Sequence, residues 1–357
     1  MTDSKIPCAI LGGSGYIGQH FARLLADHPE FDEPLLGAGV RSEGRTLADV
    51  WQLAEPPPAA LSERILVRLT PAQLSRRGVR IVFSALPSGT AGPVEEAIAR
   101  RGIAVFSNAS DHRMDAAVPL LVPEVNAAHL ALAARRPRGT GILVTNPNCS
   151  AAGLVVSLAP VVPLLRPRAI HVTTFQSLSG AGYPGVPSLA IADNVVPFIP
   201  EEEEKLERET ARLLGRLRTG RIAPLGVPVI AHCARVATRE GHLEAVTIEA
   251  TRSPPEREIL AAWRDFDPLV DDRLPTAPRP PIDLRREADR PQPLRDRWAG
   301  SPARARGMAV AVGRVRWFAP YLRFFVLSHN AVRGGAGGSV LNAELALGRG
   351  FLPRGQG

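Results

Sequence analysis

Cys149 stands in the run Thr145-Asn146-Pro147-Asn148-Cys149-Ser150, between an apolar stretch, Gly141 to Val144, and an apolar-periodic one, Ala151 to Leu165. This pattern predicts a strand, a tight turn and a helix, with the cysteine at the helix start. Free backbone N–H groups and the helix dipole favour negative charge at that point. The placement is therefore expected to lower the thiol's pKa and enrich its thiolate. A thiolate adds to carbonyl carbon, and such chemistry calls for an acid or base of near-neutral pKa, usually a histidine. Of the 8 histidines, His242 is the one with a distinctive setting. It ends the turn Arg239-Glu240-Gly241-His242 between two apolar stretches, downstream of Arg235. On local grounds alone an exposed turn histidine is the plainer reading.

A second chemical feature opens the chain. Ile6 to Leu11 reads as a buried strand, followed by Gly12-Gly13-Ser14-Gly15-Tyr16-Ile17-Gly18 and then by Phe21, Leu24 and Leu25 at helical spacing. A G-x-G-x-x-G run between a strand and a helix is the dinucleotide-binding arrangement, in which backbone approaches a pyrophosphate at the helix N-terminus. The next strand, Leu35 to Val40, ends in Arg41-Ser42-Glu43. Arginine at that strand end accommodates a 2′-phosphate, which favours NADP over NAD; Glu43 leaves a solvated basic loop open. A reactive cysteine beside a dinucleotide suggests aldehyde–acyl interconversion through a thioester.

These residues need a scaffold. Strand-like runs at Val79 to Leu86 and Ile103 to Ser107, with a helix at Glu95 to Arg101 between them, predict a doubly wound parallel sheet of Rossmann type. Ligands gather at the carboxyl ends of such strands, where Gly13, Arg41, Ser84, Arg113 and Cys149 would lie. Beyond about residue 165 the pattern changes to strands at 169–176, 309–315 and 322–327 and a charged helix at 201–216. Residues 227–236 and 243–250 read as strands paired around the Arg239–His242 turn. The expected fold is α/β: residues 1–149 form an NADP-binding Rossmann domain completed by a C-terminal helix in 334–357. Residues 150–333 then form an α+β catalytic and dimerisation domain on a mixed sheet. Residues 271–306, dense in proline, arginine and aspartate, read as a surface loop without local chemistry.

Composition narrows the function classes. The 357 residues, 45% hydrophobic, can bury a full core. No apolar run approaches the ~20 residues that span a bilayer, and the start lacks signal-peptide architecture, so a cytoplasmic protein without membrane partners is expected. The net charge of +8 comes from scattered arginines, with Lys5 and Lys205 the sole lysines. That distribution disfavours nucleic-acid binding and leaves room for steering of anionic substrates. Cys8, Cys149 and Cys233 are too few for a disulfide framework and lack metal-ligand spacing. Cys8 and Cys233 read as small buried side chains.

Several longer motifs then carry a family resemblance. They are Asn146-Pro147-Asn148-Cys149-Ser150, Phe175-Gln176-Ser177-Leu178-Ser179-Gly180-Ala181-Gly182, and Arg235-Val236-Ala237-Thr238-Arg239-Glu240-Gly241-His242. Pro197-Phe198-Ile199, Glu201 to Lys205, Arg290-Pro291-Gln292-Pro293, Leu327 to Gly334 and Leu341 to Glu344 add support. In this order they resemble the aspartate-semialdehyde dehydrogenases of the archaeal and fungal branch, over nearly the whole chain. The resemblance implies NADP-dependent reduction of L-aspartyl-4-phosphate, with Cys149 acylated and His242 as acid/base. It implies that Gln176 positions the thioester carbonyl and that Arg235 holds the substrate α-carboxylate, a bidentate task suited to guanidinium. Arg113 and Lys205 would bind phosphate, and Asn148 would sit with them at the substrate. Glu202, best aligned of four glutamates, would face the substrate ammonium. Ser179, Gly180 and Asn342 would join Ser14, Ser42 and Ser84 on the cofactor. A homodimer or homotetramer is implied. Malonyl-CoA reductase and N-acetylglutamyl-phosphate reductase are alternatives within the same chemistry, and a decayed regulatory protein is one outside it. Lys205 also has a plain reading, as the i,i+4 partner of Glu201. The chain departs from the family's usual proline and aspartate at Ala237, Thr238 and Arg239.

Overall fold

The computed structural model describes residues 5–352. Five short parallel strands come first: β1 (Cys8–Leu11), β2 (Leu35–Leu36), β3 (Ile81–Ser84), β4 (Ala104–Ser107) and β5 (Leu143–Thr145). They lie in the order β2-β1-β3-β4-β5. Burial on both faces explains their continuous apolar runs, for example Ile81-Val82-Phe83. Phe21, Phe31 and Phe106 each pack their rings against Phe83 in the core of this sheet. The closing helix, Gly337–Gly348, returns to the same core through Val340, Leu341 and Leu345. Residues 353–357, the expected end of that helix, lie outside the described residues, as do the first four.

A two-stranded ribbon, β7 (Arg216–Arg218) and β8 (Arg221–Ala223), stands apart from the larger second sheet. That sheet comprises β6 (Pro167–Gln176), β9 (Val229–Arg235), β10 (His242–Ala250), β11 (Ile282–Leu284), β12 (Val310–Phe318) and β13 (Tyr321–Ser328). Its order is β11-β12-β13-β10-β6-β9. The expected pairing of 227–236 with 243–250 does not occur. Both strands pair with β6, which lies between them, β9 in parallel and β10 antiparallel. The Arg239–His242 turn is therefore a crossover at the sheet's end, not a hairpin.

Helices cover the inner face of this sheet. The helix Cys149–Leu158 buries Leu154, Val155 and Leu158 against it, while Glu202–Leu213 adds Leu206 and Leu213. Residues 271–306 are held by arginine–carboxylate contacts: Asp296, fully buried on its side chain, receives both Arg290 and Arg285. Strand β2 ends at Leu36 rather than Val40, because Gly37 turns away after hydrogen bonding to Ile10. Among the described residues no helix is long and apolar enough to cross a membrane.

Candidate active site

The carboxyl edge of the first sheet meets the end of the second at which β6, β9 and β13 finish and β10 begins. Cys149 begins its helix just beyond β5 and His242 is the first residue of β10. Cys149 Sγ lies 3.2 Å from His242 Nε2. The Ser177 backbone N–H donates to His242 Nδ1 at 3.1 Å. An accepting Nδ1 places the neutral ring's proton on Nε2, facing the sulfur. Asn330 holds this arrangement from β13's end. Its Oδ1 accepts from the Gly241 N–H and the Ser177 hydroxyl, and its amide donates to Ser179 Oγ.

The expected depression of the Cys149 pKa is not found. Burial pushes the thiol up to about 12, Glu202 adds to the rise, and Arg113 and Arg235 only partly oppose it. Asn148 already caps the helix, its Oδ1 accepting from the Ser150 and Ala151 N–H groups. Those donors are thus withdrawn from the sulfur. Burial, with Arg235 beside it, takes His242 down to about 3. The resting pair is consequently a neutral thiol beside a neutral imidazole. Cys8 and Cys233 are buried.

Around this pair lies a cleft of about 600 Å³ lined by Arg113, Asn148, Gln176, Glu202, Lys205 and Arg235, among others. Glu202 accepts from Asn148 Nδ2 at 2.9 Å and from Gln176 Nε2 at 2.8 Å, so it is the glutamate of the acidic run that turns inward. Glu203 instead caps the Cys233 N–H on β9. Arg235 donates to the Ser177 carbonyl at 2.8 Å. Arg113 donates to Glu209, which also accepts the Asn148 backbone N–H at 2.6 Å. Lys205 meets both of its readings: it lines the cleft and pairs with Glu201 at 2.7 Å. Gly180 is required by proximity, since a Cβ there would come within 2.7 Å of Arg235 Nη1 and 3.1 Å of His242 Cε1. Gly334 presses equally close on Cys149 Cα, and Arg333 anchors that loop through a buried bidentate bond to Glu124.

A second cleft, of about 890 Å³, adjoins the first and is lined by Ser14, Gly15, Tyr16, Ile17, Arg41, Ser42 and Arg45. Gly12 turns through φ +75°, and a Cβ at Gly18 would fall 2.1 Å from the Gly12 carbonyl, so loop and helix fit only as glycine. Gly13 serves the same turn, donating its N–H to Gly37. Ser14 and Ser42 hydroxyls join at 3.0 Å, and exposed Arg41 stands at the rim with Arg45. A glycine cradle at a helix start, with two arginines at the far end, fits a dinucleotide bearing an extra phosphate. Ser179 and Gly180 line the catalytic cleft. Ser84 and Asn342 line neither cleft. Ser84 is fully buried at the end of β3, and Asn342 is buried with its amide on the Leu121 carbonyl.

Sequence reasoning passed over Ser177, Glu209, Glu240, Glu244 and Asn330. The motifs containing Ser177, Glu240 and Asn330 were visible, but their contacts join segments far apart in the chain. Tyr16 donates its hydroxyl to Glu240, whose other oxygen lies 3.4 Å from Arg297 Nε. The loop 271–306 therefore does reach the site.

A Rossmann-type sheet whose glycine loop opens onto a cysteine–histidine cleft defines a nicotinamide-dinucleotide oxidoreductase of two domains. Family models described as semialdehyde dehydrogenase, NAD binding domain, and semialdehyde dehydrogenase, dimerisation domain, match residues 7–133 and 158–333. An aspartate-semialdehyde dehydrogenase of Archaeoglobus fulgidus is 44% identical, over 95% of this chain and 97% of its own. A malonyl CoA reductase (NADP) of Metallosphaera sedula is 38% identical over 98% and 99%. Among solved structures, aspartate semialdehyde dehydrogenase with NADP from Candida albicans superposes with TM-score 0.85 at 33% identity, covering 98% of this chain and 100% of that one. The chain belongs to the aspartate-semialdehyde dehydrogenase family.

Proposed function

We propose that the protein reduces L-aspartyl-4-phosphate to L-aspartate 4-semialdehyde and phosphate with NADPH, reversibly, through a thioester on Cys149. The observation that carries this reading is the Cys149–His242 contact at 3.2 Å, inside a cleft that also presents Arg235, Glu202 and Arg113. One substrate needs two anion contacts and one cation contact, and those three side chains supply them. Arg235 takes the α-carboxylate, Glu202 the ammonium, and Arg113 with Lys205 the phosphate. Gln176 donates toward the acyl oxygen, released from Glu202 when the ammonium takes its place.

The chemistry assigned to this chain's own groups runs as follows. As the sulfur bonds to the acyl carbon, the Cys149 proton passes to the departing phosphate oxygen. The carbon–oxygen pair leaves with phosphate, whose charge Arg113 and Lys205 receive. His242 Nε2–H faces the sulfur and donates a hydrogen bond that holds charge on the adjoining oxygen; in the reverse direction the ring, as its Nδ1–H tautomer, accepts a proton at Nε2. A nicotinamide held in the adjoining cleft would supply the hydride. Collapse of the resulting hemithioacetal breaks the carbon–sulfur bond, returning Cys149 and releasing the aldehyde. Ser14 to Gly18, Arg41 and Ser42 would hold the dinucleotide.

The Metallosphaera relative favours a second reading, reduction of malonyl-CoA. Glu202 weighs against it, because a malonyl group has no ammonium to pair with a carboxylate that Asn148 and Gln176 already aim at the cleft. Steady-state assays with aspartate semialdehyde, phosphate and NADP test the proposal. Phosphate-independent, CoA-dependent turnover would replace it. A cytoplasmic homodimer, or a tetramer of dimers, belongs to the same reading. It is supported by the alternating half-buried residues Leu243, Ala245 and Thr247 on the outer face of β10.

A further inference from the structure

Glu244 follows His242 by two positions on β10, so both side chains point to the same, inner face. In register, Glu244 sits opposite Thr174 on β6 and Val326 on β13. Gln176 shares that face and donates weakly to Thr174 Oγ1 at 3.4 Å. The Cys149 helix roofs it: a Cβ on Gly153 would meet Ser328 Oγ, the residue opposite His242, at 2.4 Å. Glu244 is 1% exposed, and neither carboxyl oxygen has a hydrogen-bond partner. The hydroxyls of Ser150 and Ser328, on the roof and floor of the same layer, are also unpartnered.

The charged and titratable groups facing Glu244 are few. Cys149 faces it from the roofing helix, Glu202 from the acidic helix, Cys233 and Arg235 from the inner face of β9 and His242 from its own strand. His242 is neutral, and the cation on that face, Arg235, lies in register with Gln176 and donates to the Ser177 carbonyl rather than to Glu244. An isolated carboxylate in such a layer loses its hydration without replacement, so the group takes the neutral acid form. Burial, then the Glu202 charge, holds its carboxyl well above the usual carboxylate range. The site thus contains two carboxyl groups with opposite tasks. Glu202 is paired by two amides and faces the substrate; Glu244 is unpaired and kept neutral. A carboxyl kept neutral costs stability and packs no better than a methionine of similar length. It does one thing an apolar residue cannot, which is to change charge beneath the nucleophile.

We propose that Glu244 is a positioning residue for the Cys149 nucleophile, a buried carboxylic acid whose retained proton lets the negative charge of the site reside on the Cys149 sulfur. Loss of that proton at alkaline pH places a second anion under the sulfur and disfavours the thiolate. The inference rests on Cys149 as the nucleophile of the proposed reduction.

The test uses the full-length enzyme and needs no substrate. Alkylation of Cys149 by iodoacetamide is followed from pH 6 to 11 in the wild type, Glu244→Gln and Glu244→Met, with Cys149→Ser as the unreactive control. Both neutral variants are expected to move the thiolate midpoint to lower pH and to alkylate several-fold faster at a fixed alkaline pH. Infrared difference spectra at pH 7 are expected to show a protonated-carboxyl C=O band in the wild type that Glu244→Gln lacks. Superimposable alkylation profiles, or no such band, would overturn the proposal. Should one variant not fold, the other carries the measurement, and the infrared band of the wild type stands by itself. Failure of phosphate-dependent turnover would strike the substrate assignment and leave these readouts intact.

Discussion

Tyr16 of the glycine loop donates its hydroxyl to Glu240, two residues ahead of His242, and so ties the dinucleotide cleft to the catalytic turn. Glu240 is nearly buried, with Arg297 as its second partner and His329 Nε2 at 3.8 Å. Tyr16 lines both clefts. Hydrogen bonds to charged groups contribute about 1.5–3 kcal/mol. Tyr16→Phe is expected to lower kcat/KM by roughly tenfold or more with the fold intact. The loss should reach both directions of the reaction, because the displaced element carries His242. Steady-state kinetics beside far-ultraviolet circular dichroism checks this; unchanged kinetics would mean that the link is idle.

Cys149→Ser removes the thiol that lies against His242 in the cleft. A serine hydroxyl at a site that already disfavours the thiolate is not ionised at neutral pH, so turnover should fall to background. The thermal midpoint should stay within a degree or two, since the side chains are nearly isosteric. Retention of the wild-type rate would remove the thioester from the mechanism.

Arg235→Ala deletes a buried guanidinium that donates to the Ser177 carbonyl and faces the substrate region. Truncating one side of a buried charge pair costs about 2–5 kcal/mol. The expected result is a large rise in KM for aspartate semialdehyde together with a smaller fall in kcat. KM for NADP should change little. Equal losses for both substrates would argue for general disruption instead.

Gly180→Ala adds a single methyl between Arg235 and His242. Gly180 does not use the left-handed backbone region, so any cost comes from displacing the Arg235 and His242 side chains rather than from backbone strain. Misplacement on the scale of 1 Å costs up to about 10²-fold in rate. An active enzyme with normal kinetics would show that Arg235 relocates freely.

The buried histidines and cysteines set a pH window for stability. His242 and His20 are each lowered to about 3, burial being the main cause, so on folding they stay neutral. Below their ordinary 6.5 the unfolded chain binds more protons, and stability falls as pH drops. Cys149 and Cys233, each raised to about 12, act at the other end. Above their ordinary 9.0 the unfolded chain has lost protons that the folded one retains, and stability falls as pH rises. Thermal midpoints measured between pH 5 and 10.5 should therefore be highest between about 6.5 and 9, and His242→Asn should flatten the acid side. A midpoint that keeps rising below pH 6 would contradict the neutral assignment.

Local sequence was most informative where chemistry and backbone share one short segment. The glycine loop, the Cys149 turn and the acidic run each announced an element; motif alignment favoured Glu202 without fixing the register among four glutamates, and the fold turns Glu202 inward. Local sequence failed where a role depends on what packs across. Helix-start position predicted an acidic thiol, but the Asn148 cap and the depth of the cleft reverse that expectation. The hairpin reading of β9 and β10 failed because nothing local records that β6, far earlier in the chain, lies between them.

The sequence by itself determined the parallel first sheet, the dinucleotide loop, the cysteine, and the family in which they occur together. These are written in periodicity and in motifs whose spacing is short-range. Tertiary structure alone decided the charge state of the Cys149–His242 pair, the tie from Tyr16 to Glu240, and the solitary carboxyl of Glu244. Each depends on desolvation and on contacts between segments distant in the chain, and residue order carries no direct measure of either.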